Sequence, residues 1–563
     1  MKRLRWQLLI IFLTGLVIGV LLITEQPGKL PSVVQPQEGG VYTEALTGSL
    51  ERLNPVLDFY NQADKDVDCL IFSGLLKFDS RGLAEGDLAQ SWGVSQDGTI
   101  YNFVLRSDAR WQDGQPVTAL DVAFTIDLLR NGGSVVPADL QAFWQKVKVT
   151  ALSPTALQFI LPEAYAPFLD YLTFGVLPQH LLADKKIDDL VNDPFNLAPV
   201  GSGPYQFDHL IIENGQIAGV ALKASSYYST TDGNGPFISQ IIFRYYPDAA
   251  SAFAAYQQGD VQGIGDVTPD ILSNVLKTSD LSIYTARQPE TTMILFNLNN
   301  SDVSFLQNKD VRRALLMGLD RQAIIDHLLQ GQAIITNGPI LPGTWAYYDN
   351  TPSVTYDPDA ARALLVSAGY TLPKDGTVRQ NKDGVEMHFS LSYPDDDLHK
   401  ALAEKIQSYW QSLNVSVDLE ALPYDQLISE RLSSHNYQAA LVDLSLSGSP
   451  DPDPYPFWDE AQITGGQNYA QWDNRLASDY VEEARTTNDL DTRIRMYDNF
   501  QIVFSQELPA LPLYNPVYTY AVDQQVKGVS VGPMYNPSDR FETVTSWYLV
   551  AKQAASTENA PSK

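Results

Sequence analysis

The sequence predicts an α/β protein of two or three domains, and three observations carry that expectation. Short strand-like runs alternate with amphipathic helices from Val41 onward. The composition is globular, 44% hydrophobic and 19% charged over 563 residues, enough chain to bury several cores. No repeat with a period of roughly 20–50 residues is visible, which sets solenoids and propellers aside.

The amino terminus differs in kind from the rest. Lys2, Arg3 and Arg5 precede an apolar run from Leu8 to Ile23, broken by Thr14, Gly15 and Gly19. Basic residues ahead of such a run hold that end in the cytoplasm and send the remainder outside. Residues 1–25 are expected to be a secretory signal or an uncleaved membrane anchor. Thr24-Glu25-Gln26-Pro27 stands where a cleaved signal ends in small residues, which favours the anchor. Residues 26–40, rich in Pro, Gln and Gly, read as a linker, and 551–563 as a polar tail.

Within the ordered region the helices have local causes. In TALDVAFTIDLLR, Thr118 is an N-cap, Asp121 favours the positive helix end, and Ala119, Val122, Ala123 and Ile126 share a face. In YDPDAARALLVSAGY, Asp357 caps, Pro358 takes the first helical position and Gly369 stops the helix. Leu398, Leu402, Ile406, Tyr409 and Leu413 form an apolar stripe, followed by a strand in which Val415, Val417 and Leu419 alternate. Asp97-Gly98 and Asp113-Gly114 mark tight turns. All of these are scaffold.

Charge and motif content exclude several functions. With 38 basic against 67 acidic residues the net charge is -29, which rules against a nucleic-acid partner. The six histidines form no H-x-x-x-H pair, and no G-x-S-x-G elbow, P-loop or cysteine cluster occurs, so neither an enzyme nor a cofactor is expected. Paired carboxylates mean little among 67 acids. The lone Cys69 cannot form an internal disulfide and is expected as a buried, inert thiol.

The segment LAQSWGVSQDGTIYNFVLRSDARWQDGQPVTALDVAFTIDLLR, Leu88 to Arg130, resembles the signature of the family 5 bacterial extracellular solute-binding proteins. The resemblance rests on Ser91-Trp92, Asp97-Gly98, Tyr101 to Phe103, Leu105-Arg106, Asp113-Gly114, Pro116 and Thr118 to Val122. Further blocks agree: GGVYTEALTGSLERLNPV, GSGPYQF at Gly201, LFNLNN, KDVRRALLMGLDRQAII and QNYAQWDNRLASDYVEEA. It implies a type II periplasmic-binding-protein fold, two lobes about a hinge plus an additional domain. Lobe I would combine 41–72, 200–284 and 504–550, the additional domain 73–199, and lobe II 285–503. It also implies a monomer that binds a small ligand, most readily a short peptide, and hands it to ABC permease subunits in the membrane. A tethered peptide receptor, or a binder of an oligosaccharide, opine or metal chelate, remains an alternative.

A cleft between lobes is lined by loops at strand ends. The richest candidate is SLSGSPDPDPYPFWDE, whose prolines forbid helix. It reads as a rigid turn with solvated carboxylates, as a ligand-lining loop, or, least readily, as a metal-binding Asp-x-Asp pair. In the resembling peptide binders an aspartate a few residues before this block grips the peptide amine; here Gly448 stands at that position. Asp451, Asp453 or Asp443 is left to substitute, with Ser449 beside them. Thr47, Gly48, Ser49, Asn297, Trp345, Trp458 and Tyr514 complete the candidate set, each also readable as scaffold.

Overall fold

The computed structural model describes residues 36–228 and 236–550. The expected signal or anchor, most of the linker and the tail lie outside these residues. Among the described residues no helix is long and apolar enough to cross a membrane.

β1 (Val41–Thr47) opens a 12-stranded sheet, and α1 (Gln62–Ile71), capped by Asn61, follows it. An insertion then leaves the sheet. It begins with a hairpin of β2 (Leu76–Phe78) and β3 (Ala84–Gly86). A four-stranded antiparallel sheet follows, built from β4 (Ala89–Val94), β5 (Ile100–Leu105), β6 (Lys148–Ser153) and β7 (Ala156–Ile160) in the order β4-β5-β7-β6. In β5 buried Tyr101, Phe103 and Leu105 alternate with exposed Asn102 and Val104, the period of a half-buried strand. The helices α2 (Ala119–Arg130) and α3 (Ala138–Lys146) lie between β5 and β6 in the chain. The α2 start is the expected one: the Thr118 N–H donates to the Asp121 carboxylate at 2.7 Å. The insertion shares one continuous core with the first half of the large sheet, where Tyr42, Leu46 and Phe243 join Tyr101, Trp111 and Trp144.

That first half is completed by β8 (Tyr205–Glu213), β9 (Gln216–Ala224), β10 (Gln240–Tyr246), β11 (Gly263–Ile264) and β12 (Leu281–Arg287). The second half contains β13 (Glu290–Phe296), β14 (Ala333–Ile335), β15 (His388–Pro394), β16 (Ser416–Leu422) and β17 (Ala439–Ser445). Its helices include α4 (Asp397–Ser412), α5 (Arg475–Thr486) and α6 (Leu490–Glu507). The helix Pro358–Ser367 starts and is capped by Asp357 as the sequence indicates. The α4 stripe is turned from expectation: Leu402, Ala403, Ile406 and Trp410 are buried, while Leu398 is 44% exposed. Trp410 takes the central place because its indole N–H also finds an acceptor, Leu315 O at 3.0 Å.

β18 (Ala510–Asp523) belongs to both halves. Its start pairs with β13 and its end with β12 and β11. Two strands therefore cross between the halves, at Gln288-Pro289 and at Asn515-Pro516. A proline at each crossing removes a ladder donor. The Gln288 N–H donates to Pro516 O at 2.8 Å, and the Asn515 amide donates to Glu290 O at 2.7 Å. The passage thus falls beyond the expected points at Thr285 and Phe504. Phe504 lies within α6 and packs on Trp458, 4.8 Å between ring centroids, in the core of the second half. Cys69 is free and, as a residue, exposed on α1, unlike the full burial expected, while its thiol donates to Asp66 O at 3.4 Å and burial raises its pKa.

Candidate functional site

In the first half β1 runs parallel to β10 and β11, so their carboxyl ends emerge together. Val267 N–H donates to Thr519 O on β18, which sets those ends on the crossing side of the sheet. In the second half β15, β16 and β17 are mutually parallel. β13 is antiparallel to β17, with Glu290 opposite Ser445, so these carboxyl ends also meet the crossing. Carboxyl ends of both halves converging on a two-strand hinge define a cleft of the kind in which α/β proteins hold ligands.

On the first wall Thr47, Gly48 and Ser49 are exposed at the end of β1. Gly48 has a φ of +112°, a conformation a side chain would strain, and its N–H donates to Tyr246 O at 2.9 Å. Ser49 O accepts from the Asn61 amide at 3.0 Å, tying the loop to the start of α1.

The second wall carries a polar knot. His399, in the first turn of α4, sits between Asp396 at 2.7 Å and Asp443 at 2.9 Å. The Thr292 hydroxyl donates to the other oxygen of Asp443 at 2.5 Å. Burial opposes protonation of His399, but the hydrogen bonds and charges of Asp443 and Asp396 outweigh it and raise its pKa. Glu290, at the hinge end of β13, is pushed up to about 7 by burial and by Asp443, with His399 pulling the other way. Burial likewise raises the Tyr514 phenol, whose neighbours include Thr292, Asp443 and Glu290. Tyr424, just beyond β16, is 59% exposed near Asp443 and Glu290. Two carboxyl groups contact the His399 ring and Glu290 lies near them, an acidic cluster that suits a cationic group on a ligand.

The proline-rich loop divides into two parts. Gly448 is exposed with a φ of +84°, its N–H donates to Tyr535 O at 2.8 Å, and a Cβ there would meet nothing within 4 Å. The Ser449 hydroxyl donates to Asp170 of the insertion at 2.5 Å. Beyond it the aspartates are tied down. Asp451, 6% exposed, pairs with Arg493 and accepts from the Tyr497 hydroxyl at 3.2 Å. Arg485 lies 3.2 Å from Asp453. Both carboxylates serve to lock the loop onto α5 and α6. Among the described residues no three His, Cys, Asp or Glu side chains are grouped to hold a metal ion.

Thr47, Gly48 and Ser49 thus lie exposed at the end of β1, Gly448 and Ser449 lie on the loop after β17 against Tyr535 and Asp170, and Tyr514 is buried near Thr292 and Asp443. Trp345 is half-buried under the Arg493 guanidinium, 4.9 Å from its ring, and its N–H reaches Arg81 O at 3.1 Å. Trp458 lies in the second-half core. Asn297 stands at the far end of β13 from the hinge, its amide donating to His435 O and Tyr437 O. Sequence reasoning missed Glu290, Asp396 and His399. The available signal was positional: a strand that ends in Pro394 and delivers Asp396 and His399 into the first turn of a helix.

The chain matches the pattern of the bacterial extracellular solute-binding proteins, family 5, over residues 84–465, and belongs to that family. It is thus a substrate-binding protein of an ABC transporter and not an enzyme. It is 25% identical over 526 residues to the dipeptide-binding protein of Escherichia coli K12, covering 88% of this chain and 93% of that one. Among solved structures it resembles NikZ from Campylobacter jejuni in complex with Ni(L-His), at 26% identity and a TM-score of 0.65, covering 90% and 99% of the two chains. HbpA2 from Haemophilus parasuis shares the fold with a TM-score of 0.78 at 19% identity, covering 91% and 100%.

Proposed function

We propose that the chain captures short peptides outside the cytoplasm, holds their free amine against Glu290 and Asp443, and delivers them to permease subunits as a tethered monomer. The carrying observation is Glu290: at the hinge end of β13, beside Asp443, with no ion-pair partner among the described residues. A ligand ammonium placed there would offset the repulsion between the two carboxylates. The dipeptide-binding relative supports the ligand class, and Gly448 explains why the grip must come from elsewhere. Closure of the halves about Pro289 and Pro516 would bring Thr47 to Ser49 over the ligand.

Calorimetric titration with free and N-acetylated dipeptides tests this reading. The free peptide should bind the wild type at least about ten-fold more tightly, because a charge-assisted hydrogen bond to a carboxylate is lost on acetylation. In E290Q that preference should shrink. Affinity for the free amine should rise between pH 6 and pH 7 as Glu290, with its pKa of about 7, ionises, and level off by pH 8 as the peptide amine loses its proton. Equal binding of free and acetylated peptides would reject the amine grip.

A further inference from the structure

A second recognition element lies at the hinge itself. A crevice of about 310 Å³ opens where the halves meet, lined from the first half by Thr285, Arg287 and Met534 and from the second by Leu341, Pro342 and Thr344. Its volume is at the lower end of small-molecule sites. Arg287 is the one charged side chain among its lining residues. One of its terminal nitrogens donates to Pro342 O at 3.3 Å, while Nε is buried without a hydrogen-bond partner. No carboxylate lies within ion-pair distance of it among the described residues.

Three acids near the lining residue Tyr535 are engaged with other groups. Asp79 accepts from the Arg81 and Leu83 N–H groups, Asp170 from Ser449 and Asp451, and Asp539 from the N–H groups of Tyr535 and Asn536. A guanidinium drawn partly out of water with a free donor is costly unless an anion completes it. The planar fork of arginine matches a carboxylate. The remaining walls, Leu341, Pro342 and Met534, are apolar and would cover an aliphatic or aromatic body.

We infer that this crevice binds the carboxylate of a small solute with an apolar body, Arg287 being the anchor, and that its occupancy is coupled to the angle between the halves because both contribute walls. The carboxylate belongs either to the terminus of the bound peptide, which rests on the amine-end reading above, or to a separate organic acid. Arg287 and Glu290 are close in sequence on adjoining strands, within roughly 11 Å along a fully extended chain, which is compatible with one short ligand meeting both.

The test uses the full chain and three probes: the dipeptide Ala-Phe, its carboxyl-terminal amide, and 3-phenylpropionate. Ala-Phe should bind about ten-fold or more tightly than the amide, as expected for loss of a charged hydrogen bond, and the gap should vanish in R287Q but persist in part in R287K. If 3-phenylpropionate binds in an Arg287-dependent way and competes with Ala-Phe, the carboxylate is the peptide's own. If it binds without competing, the crevice takes a separate acid. N-acetyl-Ala-Phe, included as a control, reports on the amine grip alone, so a failure there leaves the carboxylate result standing. Wild type binding acid and amide equally, with no Arg287-dependent binding of 3-phenylpropionate, would overturn the inference.

Discussion

Arg493 shows how one side chain fixes a whole stretch of loop. Its guanidinium reaches Asp451, the Tyr497 hydroxyl at 3.1 Å and Ala484 O at 2.8 Å, with the Trp345 ring over it. Arg493 is 7% exposed and Asp451 6%, so removing one partner leaves the other charged in a nearly dry site. Such loss costs about 3–5 kcal/mol, whereas replacing both with apolar groups of similar size costs far less. R493A should therefore lower stability in urea by about that amount, and the R493M/D451L pair by distinctly less. A cost for R493A within error of zero would mean that the pair is not formed. This is also where the sequence misleads. Asp451 and Asp453 looked like candidate ligand groups because their proline-rich surroundings are visible locally. The arginines that neutralise them sit on α5 and α6, and Asp451 is 42 residues from Arg493, a pairing no local pattern encodes. Gly448 was legible for the opposite reason, since an absent side chain is apparent from the sequence alone.

At the scale of elements, local signals performed well where a cap or turn decides the outcome and poorly where packing does. Asp357 and Thr118 start their helices as read, and Gly98 and Gly114 adopt φ values of +72° and +88° in their turns. The register of α4 depended instead on the indole of Trp410 meeting Leu315 O, a tertiary contact. The proline-rich loop is the element most dependent on others. Besides Arg493 it hangs on Asp170, which accepts from the Ser449 hydroxyl and from the Asp451 N–H at 2.8 Å. Burial and the neighbouring Asp451 raise the Asp170 pKa, so this insertion residue is sensitive to protonation as well as to substitution. Each hydrogen bond to a charged acceptor contributes about 1.5–3 kcal/mol. D170A should speed amide hydrogen exchange across 445–453 by about ten-fold or more while leaving β15 and β16 protected. Unchanged exchange in that segment would show that α5 and α6 hold the loop unaided.

The whole molecule carries a pH dependence opposite to that of proteins stabilised by surface ion pairs. Asp64, Asp453 and Asp539 are pushed up to about 6, and Glu290 to about 7, in each case chiefly by burial. In an unfolded chain such groups titrate near 4. Between pH ~4 and ~7 the native state therefore holds protons that the unfolded state has released. Because ∂ΔG/∂pH follows the protons bound by the unfolded state minus those bound by the native one, stability falls as pH rises through this window. His399, raised by its two aspartates, adds to the trend, since its contribution is full at low pH and fades as it deprotonates. The net charge of -29 at pH 7 acts in the same sense, because its self-repulsion relaxes as the medium approaches the isoelectric point of 4.4. Exposed carboxyls held below their usual range, such as Asp97 and Asp248, oppose it only at lower pH, where they finally protonate. Thermal unfolding should thus be highest near pH 5 and lower at pH 8 by roughly 5 °C or more, equivalent to a few kcal/mol in a domain of this size. Replacing Glu290 and Asp64 by their amides should flatten the profile, since the amides need no proton to remain neutral in place. A midpoint that is level or rising from pH 5 to pH 8 would contradict the assignment of these carboxyls as buried proton holders.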